Sequence, residues 1–328
     1  MPRIIALTGA TGFIGTAVIG RLLSAGFQVR ALYRKTNTAK RVQDKSVNWV
    51  PGRLEVLSSL GRLLTGAEAV IHCAGCVRGA EWRQFKQVNT DGVARMVRAI
   101  KKMHPSPRFL LLSSLAAREP RLSYYAASKR QGEEILKNAG GNLEWTILRP
   151  PAVYGPGDRE IAPLLRLMRK GFAPQASSES AKFSMIYVDD LAAAIIAVIA
   201  QKVWPQSILE LHDGRPDGYD WREVVQTVSR VVARPVYRVK VPYLLIRSAA
   251  VINVWASRIM GWAPMLSPGK VRELGHEDWT CDNEAIIRET GWRPSTSLEE
   301  GMRKTLVYLG CIPDQMTRHA KGPRHADV

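Results

Sequence analysis

Cysteine is scarce. The 328-residue chain holds four, Cys73, Cys76, Cys281 and Cys311, too few and too scattered for a disulfide framework, so a reducing compartment is expected. Long apolar runs are missing as well. The run 191–200 is too short to cross a bilayer, and Arg247 and Arg258 interrupt the stretch 241–262; a spanning helix needs about 20 mainly apolar residues. The opening MPRIIALTGATG runs straight into glycines, so no secretory leader is read there and a cytoplasmic protein is expected. The six histidines are scattered without a His-x-x-x-His pair, and none is given a role. Acidic residues are outnumbered, 29 against 47 Lys and Arg, for a net charge of +18. The basic residues are spread along the chain and no nucleic-acid-binding motif accompanies them, so no nucleic-acid partner is expected. A solvated basic face, an anionic substrate and peripheral contact with an anionic membrane remain as readings of the charge.

What is present is a rhythm. Apolar runs at 4–8, 29–33, 48–51, 69–73, 109–114 and 145–150 alternate with helix-like segments at 12–25, 82–103 and 124–137. Near-continuous apolar strands between amphipathic helices predict an α/β fold with a doubly wound parallel Rossmann sheet. After Pro150 the pattern changes to a region rich in Trp, Arg and Pro. We read 1–150 as a nucleotide-binding domain to which 183–212 returns. Residues 151–182 and 213–310 then form a smaller, mainly helical substrate lobe, and 311–328 a flexible basic tail.

The stretch TGATGFIG sets Gly9, Gly12 and Gly15 between the first strand and the first helix. Glycines there permit a tight turn and close approach of a phosphate to helix N–H groups, so Gly9, Thr11, Gly12, Phe13 and Ile14 are expected to touch a dinucleotide. NAD sites usually place a carboxylate at the end of the second strand. Here that position reads Tyr33-Arg34-Lys35. A guanidinium beside an ammonium suits a 2′-phosphate, so the expected cofactor is NADP(H), held by Arg34 and Lys35.

With these features the chain resembles the extended short-chain dehydrogenase/reductase superfamily, in its NAD-dependent epimerase/dehydratase group. The motifs are TGATGFIG (8–15), IHCAG (71–75), VNTDG (88–92), YAASK (125–129), RPPAVYGPGD (149–158), YVDDLA (187–192) and GWRPSTSLEEGM (291–302). The resemblance covers nearly the whole chain. It implies catalysis by Ser114, Tyr125 and Lys129, and cofactor contacts from Ala74, Gly75, Tyr125, Lys129, Pro150 and Val153. Tyr125 and Lys129 are four apart and share a helix face. A nearby ammonium is expected to lower the phenol pKa from about 10. Ser114 leads over Ser113, which is expected to satisfy backbone groups, and Tyr125 leads over Tyr124, which has Ser128 at the fourth position. Asn89 either braces the site, as in some relatives, or bonds its own neighbourhood.

Some positions depart from the family's pattern. Arg53 stands where relatives commonly carry an aspartate near the adenine. His72, Cys73 and Cys76 lack a second ligand pair at finger spacing, so no metal is assigned. Asp189 and Asp190 read as structural, fixing a helix start. Leu115-Ala116-Ala117 follow Ser114 where dehydratases of the family carry acids. This disfavours elimination of water. The NADP-like end of the second strand disfavours a sugar-nucleotide epimerase, which by the resemblance would hold NAD, and the retained Tyr125 and Lys129 disfavour a non-catalytic nucleotide-binding subunit, so a ketone/alcohol oxidoreductase is expected. Apolar residues dominate 241–274, with Trp255, Met260 and Trp262 interleaved with arginine. The region is similar to its counterpart in 3β-hydroxysteroid dehydrogenase-type members and is expected to roof a small hydrophobic substrate, such as a sterol or keto-sphingolipid, or to meet a membrane surface. A homodimer stays open.

Overall fold

The computed structural model describes residues 3–36, 41–139, 143–201, 204 and 206–314. The first unit contains β1 (Ile4–Thr8), α1 (Phe13–Ser24), β2 (Gln28–Tyr33), β3 (Val47–Pro51), α2 (Leu57–Leu64) and β4 (Ala69–His72). It continues with α3 (Trp82–Phe85), a π-helical turn (Lys86–Thr90), α4 (Asp91–Ile100), β5 (Arg108–Leu112), a 3-10 turn (Leu115–Arg118), α5 (Tyr124–Lys137) and β6 (Trp145–Arg149). Two later elements join it, α7 (Val188–Ala200) and β11 (Ser207–Glu210). The seven strands form one parallel sheet in the order β11-β6-β5-β4-β1-β2-β3.

Side-chain alternation decides the layers. Successive residues of a strand face opposite sides. Ile5 and Leu7 therefore enter one core with Val18, Ile19, Leu22 and Ile195 of α1 and α7. Ala6 enters the other with Leu60, Met96 and Leu136 of α2, α4 and α5. Helices on both faces make the sheet doubly wound. The strand order reverses between β1 and β4, and an open parallel sheet binds its ligand in the crevice beyond such a point.

The second lobe is built from α6 (Ala162–Arg169), α8 (Trp221–Val232), α9 (Tyr243–Met260), α10 (Pro268–Leu274) and α12 (Leu298–Tyr308), while α11 (Glu284–Thr290) packs near β11. Three two-stranded sheets pair β7 (Ala152–Tyr154) with β10 (Met185–Tyr187), β8 (Phe172–Gln175) with β12 (Tyr237–Lys240), and β9 (Lys182–Phe183) with β13 (Asp278–Trp279). Its core gathers Tyr154, Leu165, Met185, Val224, Val228, Met302 and Leu306.

Several boundaries differ from the sequence reading. Residues 183–187 pair within the small sheets, so the return to the main sheet begins at α7. The strand read as 109–114 ends at Leu112, because Ser113 and Ser114 turn the chain into the 3-10 segment. Helix α2 went unread because Ser58, Ser59 and Gly61 dilute its periodicity, yet Leu60, Leu63 and Leu64 are buried. The tail does not begin at Cys311, which is buried and whose N–H donates to the Leu306 carbonyl at 2.8 Å. Residues 315–328 of that tail lie outside the described residues. No helix among the described residues is long and apolar enough to cross a membrane.

Candidate active site

Gly9, Thr11, Gly12, Phe13 and Ile14 line the turn from β1 into α1. Gly9 has φ +71°, and a Cβ there would lie 2.6 Å from the Ala74 nitrogen. The loop after β4, which carries Ala74 and Gly75, therefore sits directly against the glycine turn. A Cβ on Gly15 would meet the Gly9 carbonyl oxygen at 2.2 Å, so the helix start closes tightly on the turn. Gly12 caps α1 without a side-chain bond, and the first turn holds no acidic residue. Uncapped N–H groups and the positive end of the helix dipole are left for a phosphate. Arg34 and Lys35 are exposed just past β2, and the Arg41 guanidinium stacks 4.8 Å over the Tyr33 ring beside them. Arg53 is exposed and pairs with Glu55 at 3.5 Å. These features fit a nicotinamide dinucleotide: a cradle that side chains would fill, and cationic groups at the end of β2.

Ser114, Tyr125 and Lys129 come together beyond β4 and β5. Ser123 caps α5, its hydroxyl accepting from the Ala126 N–H at 2.9 Å. The helix then carries Tyr125 and Lys129 on one face. The buried Lys129 ammonium donates to the Leu112 carbonyl at 2.9 Å, and a Cβ on Gly75 would lie 3.3 Å from its Nζ. A larger residue at 75 would thus occupy the space beside the lysine. Ser114 accepts from the Ala116 N–H at 3.2 Å and hydrogen-bonds the Tyr125 phenol. Phe85 packs edge-on to Tyr125, and Trp82 edge-on to the exposed Tyr124. Pro150, whose carbonyl accepts from the Leu115 N–H at 2.9 Å, and Val153 on β7 follow the end of β6.

Burial dominates the electrostatics. It pushes the Tyr125 phenol up to about 12, with the Ser114 hydrogen bond pulling the other way. It lowers Lys129 to about 8. The expected depression of Tyr125 by Lys129 is not what this environment gives. A lysine that titrates near 8 has already lost its charge where a phenol at 12 would ionise, so its ammonium is absent when it would be needed. Burial also lowers His72 to about 3 and raises Cys73 to about 12. His72 bonds the Thr8 hydroxyl through Nδ1 at 2.9 Å, and the Cys76 thiol donates to the Arg78 carbonyl at 3.0 Å.

Asn89 braces the site. Its Oδ1 accepts from the Cys76 N–H at 2.8 Å, and its Nδ2 donates to the Cys76 carbonyl at 2.9 Å and to Ser128 Oγ at 2.9 Å. Ser128 Oγ in turn donates to the Tyr125 carbonyl at 2.8 Å. One side chain thus ties the post-β4 loop to the helix of Tyr125. Asn89 lies in the π-helical turn; such turns widen a helix locally and often mark functional positions.

Other groups differ from, or escaped, the sequence reading. Ser113 donates to the buried Glu133 carboxylate, which also accepts from Arg149 at 2.9 and 2.6 Å. It therefore serves a buried ion pair and not the backbone. Asp190 does not cap α7. Its carboxylate accepts from the Ser295 hydroxyl at 2.8 Å and the Thr296 N–H at 2.9 Å, fastening α7 to the segment before α12. Arg78 bonds Glu160 at 2.7 Å and the Arg159 carbonyl at 3.1 Å, which joins the loops after β4 and β7. Glu273 of α10 accepts from the Ser123 hydroxyl, so the 241–274 region reaches the start of α5, the helix that carries Tyr125 and Lys129. No spacing rule links Glu273 to Ser123 or Arg78 to Glu160, and only the fold brings them together.

A family model for the NAD dependent epimerase/dehydratase family matches residues 5–209. The chain is 36% identical over 278 residues to a ceramide reductase of Caulobacter vibrioides, covering 84% of this chain and 86% of that protein. It is 23% identical to a decarboxylating sterol-4-alpha-carboxylate 3-dehydrogenase of Candida albicans, covering 92% and 96%. In fold it is similar to UDP-glucuronic acid 4-epimerase from Bacillus cereus, solved with UDP-glucuronic acid and NAD, at a TM-score of 0.74 and 16% identity over 94% and 99% of the two chains. A glycine turn at the switch point, a tyrosine and lysine on one helix face, and these matches have one reading: the chain belongs to the NAD dependent epimerase/dehydratase family.

Proposed function

We propose that the protein is an NADP(H)-dependent oxidoreductase that interconverts a ketone and a secondary alcohol on a hydrophobic, lipid-like molecule. The observation that carries this reading is the cluster of Ser114, Tyr125 and Lys129, in which the lysine is buried and the serine and tyrosine are half-buried, with apolar residues and no carboxylate at 115–117. Elimination of water from a sugar needs an acid beside the serine; reduction of a ketone needs only one proton donor. Tyr125 supplies it. A phenol held near 12 is protonated at neutral pH, which is the form that donates to a carbonyl oxygen. Ser114 holds that oxygen through its hydroxyl and sets its distance from the phenol. Lys129, fixed by the Leu112 carbonyl, points at the space next to Gly75.

Gly9 to Ile14, Ala74, Gly75, Pro150 and Val153 would hold the dinucleotide, with Arg34 and Lys35 at a 2′-phosphate. A bound nicotinamide supplies the hydride. The names of the bacterial ceramide reductase and the fungal sterol dehydrogenase support a lipid-like substrate.

The test is consumption of NADPH and of NADH with long-chain hydroxy- and amino-ketones, and with UDP-sugars, each added to the purified chain. Faster consumption of NADPH with the long-chain ketones is expected. Conversion of a UDP-sugar without net cofactor consumption would replace this reading by an epimerase.

A further inference from the structure

Helix α9 is inside out. A surface helix of a water-soluble protein turns its apolar stripe inward and its polar face to solvent. Here the buried positions are Ala250 and Ser257, and Asn253 on the same side donates to the Leu266 carbonyl at 2.8 Å. The large apolar side chains point away: Leu244 is 71% exposed, Ile252 64%, Trp255 65% and Ile259 65%. With Leu245 and Val251, also exposed, these fall within an arc of roughly 120° at about 3.6 residues per turn. Arg247 and Arg258 flank one edge of that arc and are exposed. An open cleft of ≈ 360 Å³ lies among Leu244, Arg247, Ser248, Val251 and Ile252.

The segment that carries this face has an excess of positive charge. Residues 224–272 contain eight Lys and Arg and no Asp or Glu. Four of the eight meet carboxylates from outside the stretch, Arg230 with Glu299 at 3.5 Å, Lys240 with Glu179 at 2.7 Å, Arg258 with Glu81 at 3.8 Å and Lys270 with Glu273 at 2.9 Å; Arg234, Arg238, Arg247 and Arg272 remain as the excess. Apolar side chains including a tryptophan, rimmed by arginines whose stems reach while their heads stay wet, match the headgroup boundary of a bilayer. The excess cations match anionic headgroups.

We propose that the outward face of α9 docks on an anionic lipid bilayer, with its leucines, Ile252, Trp255 and Ile259 at the acyl boundary and Arg247 and Arg258 at the phosphates. The helix is too polar to span, so it lies along the surface. The chain passes from α9 to α10, whose Glu273 holds the Ser123 cap of the helix bearing Tyr125. Docking would therefore set the mouth of the candidate active site close to the lipid. This inference stands on α9 alone and does not require the oxidoreductase reading.

Flotation of the full chain tests it. The probes are vesicles of phosphatidylcholine alone and of phosphatidylcholine mixed with phosphatidylglycerol, at low and high salt. The wild type is expected to float with the mixed vesicles and less so as salt rises. Ile252→Ser/Trp255→Ser should weaken partitioning roughly tenfold or more. Arg247→Gln/Arg258→Gln should weaken it about fivefold per arginine on mixed vesicles only. All four side chains are exposed, so thermal melting of both variants should match the wild type. Failure to float with either vesicle, equal binding by the serine variant, or equal binding to neutral vesicles would overturn the proposal. So would a dimer in sedimentation velocity that the serine substitutions dissociate without any vesicle binding, since α9 would then be a protein interface.

Discussion

Replacing Lys129 by methionine should stabilise the protein at neutral pH while removing its activity. The ammonium is buried, and that burial lowers its pKa from 10.5 to about 8. At about 1.4 kcal/mol per pH unit, the folded state is penalised by roughly 3 kcal/mol wherever it must carry the charge. Below about pH 8 the penalty is complete. Between about 8 and 10.5 it fades, because the folded amine is already neutral while the unfolded one still holds its proton; above that window it is gone. Wild-type stability therefore rises with pH through this range, and a methionine has no such dependence. The substitution also deletes the bond to the Leu112 carbonyl, which costs about 1 kcal/mol. The net expectation is a variant more stable by about 2 kcal/mol near pH 7 and less stable by about 1 kcal/mol near pH 10.5. Urea unfolding of both proteins at the two pH values measures the difference, and groups common to both cancel. A variant that is less stable at pH 7, or a difference that does not change sign, would refute the reasoning. Lys129 would then be held charged by Glu133 and its neighbours, and not penalised by burial. The lysine would be an instance of stability given up for function.

Three further outcomes follow from the site. Ser114→Ala should lower kcat about a hundredfold with stability little changed, whereas Ser113→Ala should keep turnover and lose about 1–2 kcal/mol, because Glu133 loses a buried donor; steady-state kinetics and urea melts on both variants distinguish the serines, and the reverse pattern would exchange their roles. Arg34→Ala should weaken NADP binding roughly tenfold to a hundredfold and leave NAD binding unchanged, as read by cofactor titration; equal effects on both cofactors would remove Arg34 from the 2′-phosphate. Asn89→Leu keeps the volume but strands the Cys76 backbone groups and Ser128, so unfolding should become easier by about 2–4 kcal/mol and cofactor affinity should fall; an unchanged melt would show that the Asn89 bonds contribute little.

Much of the fold was legible because parallel strands buried on both faces leave near-continuous apolar runs. The run at Ile4–Thr8 is an example, and the α5 helix at Tyr124–Lys137 follows the periodicity directly. The glycine turn and the Tyr125–Lys129 pair are local in sequence, and local geometry is what spacing encodes. What escaped is non-local or energetic. Ser113 and Ser114 are neighbours with opposite surroundings, since one meets Glu133 and the other Tyr125. Spacing places Lys129 beside Tyr125 but does not say how deeply it is buried, and depth reverses the order in which the two titrate. Asp190 looked like a cap because of its place at a helix start, yet its partners lie over a hundred residues away. Residues 241–262 read as apolar and interrupted by arginine, but only the fold shows which of those side chains face out.

The central claim is that Tyr125 protonates a ketone as hydride arrives from a cofactor that is then released. Single-turnover and steady-state incubation of a long-chain ketone with NADPH deuterated at C4, followed by mass spectrometry of the product, tests it directly. The account predicts an alcohol carrying one deuterium on the former carbonyl carbon, NADP formed in equal amount, and a rate lowered about a thousandfold or more by Tyr125→Phe with cofactor affinity unchanged. Deuterium transfer that continues at the wild-type rate in Tyr125→Phe, or a product isomerised with no net oxidation of the cofactor, would contradict it.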